Sequence, residues 1–138
     1  MKRIAILGIV AAFVIITVFM GVYILYIVKS PISLEMHGEV SDKIGFNLDA
    51  DAIKFGKLFP GATSRRAINL TNSYQYPIYF SVRLSGDIAK YVSVSQNEGR
   101  LEPSEVRSLT YYFSPSKSTG FGNYSGVTSI QISRVIFP

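Results

Sequence analysis

The chain has no cysteine and no tryptophan, and His37 is its only histidine. A disulfide scaffold, a thiolate-ligated metal or iron–sulfur site and a cysteine nucleophile are therefore excluded. A metal site on imidazole would need further nitrogen or sulfur ligands beside His37, and none exist. Asp49-Ala50-Asp51 puts two carboxylates on one face if extended, with Asp42 near in sequence. The glycine-spaced ligand series of a calcium loop is missing, so this stretch reads as a solvated turn. Gly120-Phe121-Gly122 opens no helix and makes no phosphate loop. A Ser-His-Asp triad would have to recruit His37, at the far end of the segment that follows the first helix. No catalytic, cofactor-binding or metal-ligating residue is expected, and the chain reads as a non-enzyme.

Charge is also missing, locally. From Ile4 to Val28 there is no charged residue in 25 positions. As a helix this run is roughly 37 Å long, enough to cross a hydrocarbon core of about 30 Å with some tilt. Tyr23 and Tyr26 sit near its end, where amphipathic rings favour the membrane–water interface. Lys2, Arg3 and the amino terminus precede the run and Lys29 follows it, which favours a cytoplasmic N-terminus and an extracytoplasmic C-terminal part. A cleaved signal peptide would carry a shorter apolar stretch ending in small residues. A pilin-type leader would place a charged residue before the processed glycine, whereas Leu7 precedes Gly8. Residues 1–29 are thus expected to be an uncleaved, single-pass signal anchor, touching membrane lipid through residues 4–28. Gly8 with Ala12, and Thr17 with Gly21, form small-residue pairs that permit close helix approach.

The anchor explains the bulk composition. The whole chain of 138 residues has a net charge of +5 and a mean hydropathy of +0.27. Without residues 1–29, 11 basic side chains face nine acidic ones, leaving +2. Arg65-Arg66 is the only adjacent basic pair in the remainder, so no phosphate track is present and nucleic acid is not an expected partner.

Residues 30–45 form a juxtamembrane segment in which Ile32, Leu34 and Met36 alternate with Ser33 and Glu35, a partial strand signal. Over residues 46–138 the two-residue period recurs. Ile78, Phe80, Val82 and Leu84 alternate with Tyr79, Ser81 and Arg83, and Leu109, Tyr111 and Phe113 with Thr110 and Tyr112. Ile68/Leu70, Val92/Val94 and Ile130/Ile132 behave likewise, and turn residues separate the runs: Pro60-Gly61, Asn72-Ser73, Asn97-Glu98-Gly99, Pro103-Ser104 and Gly120 through Gly126. About seven short strands at this spacing predict an all-β, Ig-like antiparallel β-sandwich behind the N-terminal transmembrane helix. Gly56 suggests a bulge, Pro60-Gly61 a type II turn, and Asn72 an Asx turn at a strand end.

Particular motifs carry a resemblance. The run Ile53-Lys54-Phe55-Gly56-Lys57-Leu58-Phe59-Pro60-Gly61 leads to a strand ending Thr71-Asn72 and then to Pro77-Ile78-Tyr79-Phe80. Leu101-Glu102-Pro103-Ser104-Glu105 follows, with Ser104 where a turn glycine is usual, and then Asn123-Tyr124-Ser125-Gly126. From about Phe46 to Ile132 the chain resembles ASH/major-sperm-protein-like immunoglobulin-fold domains. The resemblance implies a membrane-anchored prokaryotic, in particular archaeal, envelope protein in which the domain is a binding or spacer module.

Aromatic side chains are the candidate contacts. Tyr79 and Tyr112 are predicted to point away from Phe80 and Phe113, and Phe121 and Tyr124 lie in a glycine-rich loop. Exposed aromatics are frequent anchors in protein recognition. Asn69 and Asn123 head N-x-[ST] sequons open to glycosylation outside the cytoplasm. The expected function is a non-catalytic, extracytoplasmic module that binds another cell-envelope or membrane-complex protein. The alternative is a self-assembling structural subunit, a pilin-like filament or a homo-oligomer, using the helix and sheet edges.

Overall fold

In a computed structural model the chain is described over residues 2–23, 31–40 and 52–135. Helix α1 (Lys2–Val22) is followed by strands β1 (Ile32–Val40), β2 (Ala52–Leu58), β3 (Ser64–Thr71) and β4 (Ile78–Gly86). A 3-10 turn at Ala89–Tyr91 leads into β5 (Val92–Val94), β6 (Glu98–Leu101), β7 (Val106–Phe113) and β8 (Gly122–Arg134). One sheet has the order β2-β1-β8-β4-β6 and the other β3-β7-β5. The apolar faces of both meet in a core that includes Met36, Phe55, Phe80, Leu109, Tyr111, Phe113 and Ile130. The two-sheet Ig-like arrangement expected from the alternation is therefore present.

Four details differ from the expectation. Residues 32–40 of the segment read as juxtamembrane form β1, which lies between β2 and β8 and buries Met36 and Val40. Its pairing with β8 is antiparallel but its pairing with β2 is parallel, so the sandwich is not purely antiparallel. Glu98 and Gly99, read as a turn, belong to β6, where Gly99 pairs with Phe80. A Cβ at Gly99 would lie 2.9 Å from the Phe80 ring, so the glycine that looked like turn punctuation makes room for a core aromatic. Likewise β8 starts at Gly122, inside the stretch read as a loop.

Other local readings hold. β2 bulges at Gly56, where the pairing His37↔Lys54 is followed by Glu39↔Lys57. At Phe59–Ala62 the Ala62 amide donates to Phe59 O at 3.0 Å, with Gly61 at φ +84 as a type II turn requires. Arg66 is half-buried rather than spread on solvent. Its Nε donates to Lys54 O at 2.8 Å and, with Ser64 Oγ on Phe55 O at 2.9 Å, fastens β3 of one sheet to β2 of the other.

For α1 the structure supports less than the sequence suggested. Among the described residues no helix is long and apolar enough to cross a membrane. The transmembrane span expected over residues 4–28 is thus not shown; residues 24–28 lie outside the described residues, as do Asp42, Asp49 and Asp51.

Asn72 closes one end of the sandwich. Its side chain is fully buried between the β3–β4 connection and the β6–β7 turn. Nδ2 donates to Tyr76 O, Leu101 O and Glu102 O at 3.0–3.1 Å, while Oδ1 accepts the Tyr74 amide at 3.0 Å, the expected Asx turn. Its backbone also takes part: Asn72 N donates to Glu105 O and Asn72 O accepts Ser104 N, both at 2.9 Å. The second of these holds Ser104 at φ +64, a left-handed conformation that glycine adopts without strain.

A second buried polar pair crosses between the sheets, with Tyr111 Oη and Thr128 Oγ1 at 3.0 Å. Burial pushes the Tyr111 phenol above its ordinary value, partly countered by that hydrogen bond. The neutral, hydrogen-bonded form is therefore the one the core holds at physiological pH.

Two substitutions test this end of the fold. Asn72→Ala leaves three carbonyls and an amide without their partner and should cost about 2–4 kcal/mol in urea unfolding. Ser104→Gly removes left-handed strain and should raise stability by about 0.5–1 kcal/mol in the same measurement, the gain being trimmed by the freer unfolded chain.

Candidate functional site

The four aromatic candidates do not converge. Phe121, on the β7–β8 connection, is 70% exposed. Tyr124 is half-buried within β8, opposite Gly38 of β1. Its ring meets that of Tyr91 edge-on at 5.3 Å, and its hydroxyl donates to Gly120 O at 2.8 Å. Tyr91 in turn lies edge-on to Phe113 at 6.4 Å, so Tyr124 continues an aromatic series out of the core. For the Tyr91 phenol, burial acts upward. Hydrogen bonds with Thr119, Lys90 and Tyr124 and the Lys90 charge outweigh it, leaving the group below its ordinary value. Tyr124 is thus a brace for the loop that displays Phe121.

Tyr79 points outward from β4, as expected, and is 38% exposed. The Glu98 carboxylate accepts its hydroxyl and, with some burial and the negative charge, holds the phenol above its ordinary range. Tyr112 faces outward from β7 on the opposite sheet, paired with Arg65 and Ser93, and is half-buried. The candidates therefore occupy two opposite sheet faces and one loop.

Asn69 and Asn123 are both exposed, on β3 and at the start of β8. His37 sits on β1 within the sheet, not apart from the domain, and its Nε2 lies 3.1 Å from Glu35 Oε2. No group of three or more His, Asp or Glu side chains that could hold a metal occurs among the described residues. At the β6–β7 turn, Glu105 accepts the Glu102 amide at 2.8 Å and pairs with Arg107. Those two partners, the amide first, hold its carboxyl below the usual range. This carboxylate fixes a turn.

The outward polar side chains of the strands are not scattered at random over the sheet. The outward residues of β8 are Asn123, Ser125, Val127, Ser129, Gln131 and Ser133, none of them charged. Ser129 pairs with Ser33 on one side and Arg83 on the other, and Val127 with Glu35 and Ser85. The five-stranded sheet thus presents a hydroxyl-rich strip with Glu35, His37 and Glu39 on the β1 side and Arg83 on the β4 side. Composition alone could not reveal it, because the rows depend on register.

The different surroundings of Phe121 and Tyr124 make an internal control. Tyr124→Ala should destabilise the domain by about 2 kcal/mol through lost packing, while Phe121→Ala should stay within about 0.5 kcal/mol of the parent in thermal or urea unfolding.

Comparison with known proteins bears on the fold. No curated protein and no solved structure matches the chain. A family model for an Ig-like domain does match, over residues 50–135, from just before β2 to the end of β8. It supports the immunoglobulin part of the resemblance drawn from the motifs, and does not extend to the ASH/major-sperm-protein-like, membrane-anchored or archaeal parts. Ig-like domains generally bind protein partners and are typically non-catalytic. The model is described as the seventh Ig-like domain of CFAP65, and the chain, matched over more than half its length, belongs to that family.

Proposed function

We propose that the chain is a non-catalytic Ig-like module that binds another envelope or membrane-complex protein, held outside the cytoplasm by a single N-terminal membrane helix. The observation that carries the anchoring is the surface of α1. Val10, Phe13, Val14, Ile15, Ile16, Val18, Phe19, Met20 and Val22 are each 45–73% exposed, all around the helix. A helix apolar on every side has no stable place in water and calls for a buried or lipid surrounding. The uncharged run continues in sequence from Ile4 to Val28, the length that a bilayer core needs. Lys2 and Arg3 ahead of it support a cytoplasmic N-terminus.

The binding role rests on the family and on Phe121, a large apolar side chain held in the open by a braced loop. An exposed aromatic on a rigid support gives contact area at low entropic cost.

The full-length chain should remain with membranes after an alkaline carbonate wash. Ile15→Lys with Val18→Lys should release it, since each lysine costs about 2.5–3.5 kcal/mol at a helix centre. Parent protein in the soluble fraction would sink the anchoring. In native membranes, Phe121→Ala should remove a crosslinked protein partner; an unchanged crosslinking pattern would mean that this loop is not the contact.

A further inference from the structure

We infer that the outer face of the five-stranded sheet is a self-complementary surface on which a second copy of this chain docks, face to face, about a two-fold axis running roughly along β8. The inference deepens the protein-binding reading by naming a partner for a different face from the one that carries Phe121.

On the strands flanking β8 the outward charges are Glu35 and Glu39 on β1 and Arg83 on β4. They lie on opposite sides of the uncharged strip formed by Ser125, Val127, Ser129 and Gln131. Glu39 pairs with Lys57 at 3.1 Å and Arg100 with Glu102 at 2.8 Å, so these charges are matched within the chain, and Glu35 contacts the His37 ring at 3.1 Å. A two-fold axis along β8 reverses left and right while keeping top and bottom. It therefore lays the Glu35 flank of each copy over the Arg83 flank of the other, twice. Glu35 is level with Val127 and Arg83 with Ser129, an offset of about 7 Å along the strands that two long side chains can bridge.

The centre suits close approach. Serine side chains are short, and the strip has no charge to desolvate, the main penalty of a buried interface. Sheets pack face to face about 10 Å apart with their strands nearly aligned, which is the relation this axis produces. Five strands about 4.8 Å apart and about 25 Å long offer roughly 600 Å² per copy, or about 1,200 Å² for a pair. That is the low end for specific interfaces and corresponds to a reversible dimer.

The axis also agrees with the tethering. β1 enters the sheet at Ile32, and an axis parallel to the strands puts Ile32 of both copies at the same end. Two chains emerging from one membrane need that arrangement; the perpendicular axis would point the two tethers in opposite directions.

Charge exchange tests the geometry. Full-length protein in detergent should dimerise in sedimentation equilibrium. Arg83→Glu and Glu35→Arg should each weaken self-association at least about tenfold, because each creates two like-charge contacts. An equimolar mixture of the two variants should regain dimer close to the parent level, since the heterodimer pairs two acids with two bases. Circular dichroism should show both variants folded, as the substituted side chains lie on the outer face. A parent that is monomeric at ~100 µM, variants that associate like the parent, or a mixture that fails to recover would each overturn the inference. The anchoring fails separately: a chain recovered without detergent would undo that reading and leave the same exchange measurable in buffer.

Discussion

The sandwich is held at one end by a single amide side chain. Asn72 sits where β3 leaves one sheet for β4 of the other, and where β6 turns back into β7. Its donors and acceptor satisfy backbone groups from both crossings. Buried backbone carbonyls at such crossovers have no ladder partner, and an unmatched one costs a substantial part of a small domain's stability. No other common side chain of this size supplies both an acceptor and two donors. The left-handed Ser104 is a consequence of the same arrangement, because its amide is drawn onto Asn72 O.

How much of this could be read in the sequence depends on range. Alternation located β4, β7 and the inner half of β8 because each strand has one apolar face, and that signal needs no partner. Gly56, Pro60-Gly61 and the Asx turn were legible for the same reason, since turn chemistry acts over three or four residues. β6 was not. A four-residue strand containing glycine looks like a turn until Phe80 is placed against it. β1 was recognised as strand-like but not as a central strand, because the parallel neighbour β2 and the antiparallel neighbour β8 are far apart in sequence.

The candidate contacts divide by the same rule. Phe121 and Tyr79 are exposed as the pattern suggested, but Tyr124 is occupied inside the fold by Tyr91 and Gly120. Whether a loop tyrosine is a contact or a brace depends on which ring lies behind it, and that ring sits 33 residues earlier in the chain. The serine strip was invisible for a related reason: each serine is unremarkable alone, and only register lines them up between an acid and a base.

β1 has one more consequence. It is the first strand after α1, and its nine residues are bonded on both sides, to β8 along the full length and to β2 along most of it. A pull arriving from the helix would run along the axis of this strand. It would load the hydrogen bonds of two ladders together, in shear, instead of peeling them open one at a time. The strand that follows the helix is thereby fastened along both of its edges.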